Sequence, residues 1–206
     1  MIKTQFIPLS ATGRRPAIPM VPEYITVHGT GNPRSTAQNE ADNVCKNNPE
    51  LQTSFHFVVD DKDRIQVLPT NEVAWHAGDG LGTGNTRSIG IEICEGGDRV
   101  KALMNAIELI QELMVAYNID RNHVTTHQRW SGKNCPRILL DPVHVKNGMN
   151  WSWFQSRLTP AKEHWAAKHL RSLVTKGLIR SPEAHSDLDK PITKGELFAL
   201  LDRLSK

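Results

Sequence analysis

The chain has 206 residues, 38% of them hydrophobic, and a formal net charge of +3. A chain of this length can bury a core without disulfide bonds, and so small a net charge gives no indication of nucleic-acid binding, so we expect no such partner. No apolar run is long enough to cross a membrane, and the first ten residues, MIKTQFIPLS, lack the apolar core of a signal peptide, so we expect synthesis in the cytoplasm.

The first half of the chain predicts short strands on either side of one helix. Tyr24–His28 has the composition of a strand and stops at glycines, and Thr36–Lys46 follows as a helix with a polar face. Phe55–Val59 and Arg64–Leu68 are predicted to form a hairpin, because the intervening DDKD is a turn sequence. The glycine-rich segment Val73–Asn85 is predicted to be a loop.

The second half predicts the centre of the sheet and its main helix. Ile89–Cys94 is apolar on both faces, which is typical of an interior strand. A short strand at Val124–Thr126 leads into the polar loop HQRWSGKNCP, and a last helix covers Trp151–Leu158. Strands that alternate with helices predict a two- or three-layer α/β domain. A long amphipathic helix is predicted between the strands Ile89–Cys94 and Val124–Thr126. One of its faces carries the apolar residues Leu103, Ile107, Ile110, Met114 and Tyr117.

Two histidines and a cysteine stand where side chains can converge on a metal ion. His28 ends a strand at a glycine turn, His127 ends the VTTH segment, and Cys135 follows in the next loop. Catalytic zinc usually has three such ligands and one position for water. Three cysteines are too few for a disulfide framework, and Cys45 and Cys94 are expected to be small buried side chains. Spacing alone leaves the site open, since nine histidines provide many chance pairs and a histidine at a strand end is more often an ordinary hydrogen-bonding residue.

Five motifs occur in a fixed order: ITVHGT, SFHFVVD, WHAG, SIGIEIC and THQRWSGKNCP. Together they closely resemble the type-2 N-acetylmuramoyl-L-alanine amidases, a superfamily that includes phage lysins and peptidoglycan recognition proteins. The resemblance covers about residues 20–158. It implies a central mixed β-sheet flanked by helices, with Zn²⁺ on His28, His127 and Cys135. The reaction it implies is hydrolysis of the amide between the muramic acid lactyl group and L-alanine in bacterial peptidoglycan.

Glu92 is the candidate general base. An ionisable side chain inside the apolar IGIEIC strand is costly unless it faces a cleft or a partner. The alternative is a supporting carboxylate paired with an arginine or a ligand histidine. In related lysins a glutamate at this place is proposed as catalytic. Several amidases of the superfamily have a catalytic tyrosine where this chain has Phe55, which has no proton to exchange, so we expect the task to fall on Glu92.

Three further residues receive roles from the resemblance. Lys133 matches a family lysine thought to stabilise the oxyanion, with a solvated loop lysine as the alternative. Trp75 and His76 are predicted to line the substrate groove, although a structural role for either fits the sequence as well. His56 is predicted to support the sheet or the metal ligands.

Residues 159–206 are predicted to form a separate, small all-α module. All of the excess charge lies there, since 9 of the 25 basic and 6 of the 22 acidic residues come after Thr159. KGLI, SPE and PITKGE resemble one S-layer homology module, which implies that Lys194 contacts an anionic secondary wall polymer. Thr193 and Glu196 are also explained as a helix capping box. Two short helices make a poor independent core, so homo-oligomerisation through this module is a further hypothesis.

The predicted protein is therefore a zinc amidase domain, residues 1–158, followed by a wall-binding or oligomerisation module. Without a signal peptide, we expect it to reach the wall after holin-type or lytic release, as a phage endolysin or a host autolysin. One alternative is a non-catalytic peptidoglycan-binding protein, although such relatives commonly lack the cysteine that this chain keeps at 135. The other is a cytoplasmic amidase that recycles soluble muropeptides.

Overall fold

A computed structural model describes residues 2–46, 48, 50–159 and 167–176. In these residues six strands form one mixed sheet in the order β1-β4-β3-β5-β2-β6. β3 and β4 run antiparallel, and the other neighbouring strands run parallel. The strands are β1 Ile2–Thr4, β2 Tyr24–Gly29, β3 Phe57–Val59, β4 Arg64–Gln66, β5 Ser88–Ile93 and β6 Val124–Thr126.

Helices flank this sheet, and their ends follow local capping rules. Thr36 Oγ1 accepts a hydrogen bond from the backbone N–H of Asn39 and so starts α1, while Asp98 caps the longest helix, α3. Asn118 ends α3 in the left-handed conformation. The helices are α1 Ala37–Cys45, α2 Thr83–Thr86, α3 Arg99–Tyr117, α4 Gln128–Ser131, α5 Arg137–Leu140, α6 Trp151–Ser156 and α7 Ala167–Thr175, with a 3-10 turn at Arg121–His123.

The predicted central mixed sheet with flanking helices is confirmed, and β5 is an interior strand between β3 and β2. The predicted hairpin is present with shorter strands: at His56 the backbone N–H bonds to Gly90 of β5, while the carbonyl still accepts from Val67 beyond the end of β4. β1 was not predicted, since three mainly polar residues carry no strand pattern. α2 lies inside the predicted loop, and α4 and α5 interrupt the polar segment after His127, because helices of four residues are too short for apolar periodicity to reveal.

Alternation along the strands creates two cores. One face of β2, β3 and β5 is covered by α3, α5 and α6, and the opposite face by α1. Thr26, His28, Gly90 and Glu92 alternate with the residues under α3, so they point to the α1 side. The residues under α3 include Ile25, Val27, Phe57, Val59, Ile89, Ile91 and Ile93.

Of the predicted C-terminal module, the structure describes α7, which contacts α3 and buries Leu170. Lys194 and the predicted capping box at Thr193 and Glu196 lie outside the described residues. The division into two domains and the S-layer-like module therefore stay predictions. No helix within the described ranges combines the length and apolar character that a membrane crossing requires.

Candidate metal centre

The carboxyl ends of three parallel strands position the candidate site. His28 near the end of β2 and Glu92 near the end of β5 are register partners, so their side chains lie side by side. His127 directly follows the last residue of β6, which pairs with β2 on its other side. Cys135 returns from α4 to the same edge. Open α/β sheets commonly place their sites at such carboxyl ends.

The three predicted metal ligands lie together and are buried. His28, His127 and Cys135 are 1%, 6% and 5% exposed. Nδ1 of His28 is 3.0 Å from Nδ1 of His127 and 3.9 Å from Sγ of Cys135, and the three ligand atoms all lie within 4.8 Å of one another. Tetrahedral zinc with ordinary bond lengths needs N···N and N···S separations of about 3.3 to 3.6 Å. The group can therefore hold a metal ion with small side-chain adjustments.

A chain of hydrogen bonds behind His28 determines its tautomer. His76 Nε2 lies 3.1 Å from the carbonyl of Ser88, which only accepts, so this nitrogen carries the proton. Nδ1 of His76 is then an acceptor, and the contact of 3.0 Å with His28 Nε2 requires that His28 donates. Nδ1 of His28 is left with a free lone pair facing the cavity. This arrangement is typical of a metal-ligating histidine oriented by a hydrogen bond from its other nitrogen.

His127 is arranged in the same way. It hydrogen-bonds the backbone of Ala77, whose N–H is already donated to Asn85, so the contact uses the carbonyl and leaves Nδ1 of His127 unprotonated. Two lone pairs then face each other across 3.0 Å, which is repulsive unless a cation lies between them. Burial, followed by the charges of His76 and His127, lowers the pKa of His28 well below its usual value, and burial also lowers the pKa of His127. Both rings are therefore neutral near pH 7. The donor set fits a metal ion.

Cys135 completes this donor set as a thiol that needs an ion to become a thiolate. Burial is the main cause that raises its pKa to about 11, and the backbone N–H of Gly29 points at Sγ from 3.5 Å. Metal coordination deprotonates such a thiol, because the cation replaces the lost hydration.

Glu92 lies beside the ligands and is incompletely bonded. Its Oε1 is 3.9 Å from His28 Nδ1, and its buried Oε2 has no hydrogen-bond partner among the described residues. Burial raises its pKa to about 8, with a further contribution from the negative charge of Glu40 and an opposing one from Lys133. Such a shifted carboxyl group in a cleft is typical of an acid–base catalyst. At 3.9 Å from the unprotonated Nδ1, Glu92 forms no hydrogen bond with His28, so the supporting role that the sequence left open stays a prediction.

A cavity of about 540 Å³ opens over these groups. The exposed Lys133 lines it, and its positive charge lowers the pKa of His28 and of His127. Trp75 is half-buried in the wall, as is Phe55, which occupies the position of the family tyrosine. His76 also lines the cavity, but its ring is mainly engaged with His28 and Ser88. Its predicted part in substrate binding stays a prediction.

Several residues around the site were not singled out from the sequence. Glu40 and Asn43, three residues apart on α1, both line the cavity. Asn85 Oδ1 accepts from the backbone N–H groups of His76 and Ala77, at 2.8 and 2.7 Å, and so holds the WHAG segment in place. The helical spacing of Glu40 and Asn43 was a usable signal on a helix predicted to have a polar face. No sequence pattern indicated the role of Asn85, because its contacts with His76 and Ala77 depend on how the loop between them folds.

Comparison with known proteins agrees with this geometry. The family model described as N-acetylmuramoyl-L-alanine amidase matches residues 18–138. Two amidases of Bacillus subtilis (strain 168) are similar to this chain. CwlH is 48% identical over 79% of this chain and 64% of its own length. XlyA is 52% identical over 66% of this chain and 46% of its own length. The solved catalytic domain of XlyA superposes with a TM-score of 0.70 at 46% identity, covering 77% of this chain and 99% of that one.

This chain spans about half to two thirds of the length of those two curated relatives. The matched segment contains each of the three metal-ligand candidates, Glu92 and the whole of the central sheet from β2 to β6. With the family model covering more than half of the chain, this protein belongs to the N-acetylmuramoyl-L-alanine amidase family.

Proposed function

We propose that this chain is a zinc-dependent hydrolase of the amide that joins N-acetylmuramic acid to L-alanine in bacterial peptidoglycan. The observation that carries the proposal is the convergence of two histidine lone pairs and the Cys135 thiol, beside the mostly buried Glu92 carboxyl, in one cavity. Family membership supports this amide as the bond that is cut. The donor set of His28, His127 and Cys135 supports a metal centre able to hydrolyse it.

His28, His127 and Cys135 would hold the zinc ion, which when bound polarises a carbonyl and lowers the pKa of water. Glu92 takes the proton of the attacking water and passes it to the leaving amine, a role for which a carboxyl with a raised pKa and one unpartnered oxygen is suited. Lys133, exposed at the rim of the same cavity, places a positive charge near the developing oxyanion.

The walls of the cavity fit a peptide attached to a sugar. Leu51, Phe55 and Trp75 provide apolar surface, while Glu40 and Asn43 offer polar groups from α1. A peptidoglycan strand presents both kinds of surface. A cavity with few, convergent polar groups on an apolar wall is typical of a ligand site.

The direct test is digestion of purified peptidoglycan followed by mass analysis, with the zinc content of the protein measured in parallel. We expect new muramic acid carboxyl groups and free L-alanine amino ends in equal number. New reducing sugars would mean a glycosidase instead. Cys135→Ser is the paired variant: lysis by both proteins would disprove the zinc mechanism, and lysis by neither would favour a binding protein without activity.

The C-terminal residues and the route to the wall enter as proposals that rest on the sequence. We propose that residues 159–206 bring the catalytic domain to the wall, where Lys194 contacts an anionic secondary polymer, or join copies of the chain. Release by a holin-type pore or by lysis would then deliver the enzyme to its substrate. Light scattering of the purified chain tests self-association, and a monomeric mass would exclude it.

A further inference from the structure

Glu95 is a buried carboxylate just beyond the end of β5. Its side chain is only 3% exposed. Oε1 accepts the backbone N–H of Gly31 at 3.0 Å, and Oε2 accepts from Nη2 of Arg137 at 2.7 Å. Nε of Arg137 lies 3.2 Å from each of the two oxygens. Arg137 is 33% exposed, but the buried carboxylate of Glu95 depends on this complete bonding, and losing a partner is costly for it.

The pair joins the two turns that carry metal-ligand candidates. Arg137 Nη2 also donates to the carbonyl of Gly31 at 2.9 Å. The Glu95–Arg137 pair therefore hydrogen-bonds both the backbone N–H and the carbonyl of Gly31. Gly31 belongs to the turn that follows His28. Arg137 is two residues after Cys135, at the start of α5. The ion pair is thus a cross-link between the His28 turn and the Cys135 turn.

The position of Cys135 depends on such a cross-link. His28 is fixed by strand pairing on both sides of β2, but Cys135 lies in a loop outside the sheet. Its Sγ approaches the first turn at the backbone N–H of Gly29, 3.5 Å away, and lies 3.9 Å from Nδ1 of His28. Metal–ligand distances tolerate deviations of only about 0.2 Å, so the offset between the two turns decides whether the three atoms can share one ion.

We propose that Glu95 and Arg137 are positioning residues that hold the Cys135 turn against the His28 turn and thereby set the metal affinity of the site. This inference rests on the proposed metal centre and adds two residues that touch no ligand atom. Neither residue contacts the reacting groups, so their positioning effect passes through Cys135, while the charge of Glu95 also acts on the pKa of Cys135 and of Glu92.

The test is titration of the metal-free full chain with cobalt(II), whose visible bands report coordination geometry and whose ultraviolet band reports the thiolate. We expect Arg137→Met and Glu95→Gln to weaken cobalt binding about tenfold or more and to change the visible bands. Arg137→Lys, which keeps the charge, should recover part of the affinity. If Arg137→Met does not fold, Glu95→Gln and Arg137→Lys give the same comparison with less disturbance.

The matched control is Arg15→Met. Arg15 forms a two-point ion pair with Glu72, at 2.7 and 2.8 Å, away from the ligand turns, and the two side chains are 11% and 16% exposed. Its loss should lower thermal stability without changing the cobalt spectrum. The proposal would be overturned if both Glu95→Gln and Arg137→Met bound cobalt with an affinity within twofold of wild type and with an unchanged spectrum. An equal change in the Arg15→Met control would also overturn it. A wild-type chain that gives no thiolate band would instead contradict the metal centre itself.

Discussion

Glu92 has two oxygens in different surroundings, one facing His28 and one without a partner among the described residues. If it is the acid–base group, Glu92→Gln should lower kcat on peptidoglycan by about 10²- to 10⁴-fold while zinc stays at one ion per chain. Glu108→Gln is the control, because this α3 carboxylate pairs with Arg64 of β4 and does not line the cavity. A variant that keeps kcat within tenfold but loses zinc would support the alternative, in which Glu92 orients a ligand histidine.

His56 is one of several buried histidines whose lowered pKa makes the fold sensitive to acid. Its Nδ1 accepts from the N–H of Gly90 and its Nε2 donates to the carbonyl of Glu72, so the neutral ring is fully bonded and a second proton has no place. Burial lowers the pKa of His56 to about 4. The unfolded chain, with a histidine pKa near 6.5, therefore binds more protons between these values.

The free energy of unfolding should accordingly be unaffected by His56 above about pH 6.5 and fall as the pH drops from about 6.5 to about 4. The contribution approaches about 1.4 kcal/mol per pH unit in the middle of that window. Urea unfolding of metal-free wild type and His56→Gln over this range measures it, because the difference between the two slopes isolates this ring. Parallel slopes would show that His56 does not control acid stability.

At the scale of elements, β5 approaches the WHAG loop so closely that one position excludes a side chain. A Cβ on Gly90 would lie 2.7 Å from Cγ of His76, whose ring links His28 to Ser88. Gly90→Ala should therefore displace His76, destabilise the fold by about 1 to 3 kcal/mol and weaken zinc binding.

Chemical unfolding and zinc titration check this prediction together. Gly13→Ala is a suitable comparison, since the new methyl group meets only the flexible amide end of Gln52. If Gly90→Ala loses no more stability and no more zinc affinity than Gly13→Ala, the His76 contact has no role in holding the ligand.

At the scale of the whole molecule, the metal-ligand candidates lie within residues 28–135, and α7 contacts α3. The catalytic domain of XlyA, solved alone, covers 77% of this chain. Deletion of residues 160–206 should therefore leave zinc content and the hydrolysis of soluble muropeptides unchanged, while sedimentation with cell walls decreases. Unchanged attachment to walls would favour the recycling amidase, and loss of zinc would show that the tail supports the fold.

Much of this protein could be predicted from the sequence, because the relevant signals are local or repeat in order. The alternation of strand and helix segments predicted an α/β domain, and the apolar stripe Leu103–Tyr117 predicted its main helix. Five ordered motifs indicated the family and the candidate ligands. Strand lengths, β1 and the four-residue helices escaped prediction, since so few residues carry no periodicity. The C-terminal residues keep their sequence-based interpretation.

Only the tertiary structure decided how those residues meet. That His28 and Glu92 are register partners, that His76 determines the tautomer of His28, and that Arg137 and Glu95 join two turns all depend on contacts between segments distant along the chain. His28, His127 and Cys135 could be named from the sequence because they stand in ordered motifs that resemble those of a known family. Their orientation, protonation and spacing depend on packing, which a linear pattern does not encode.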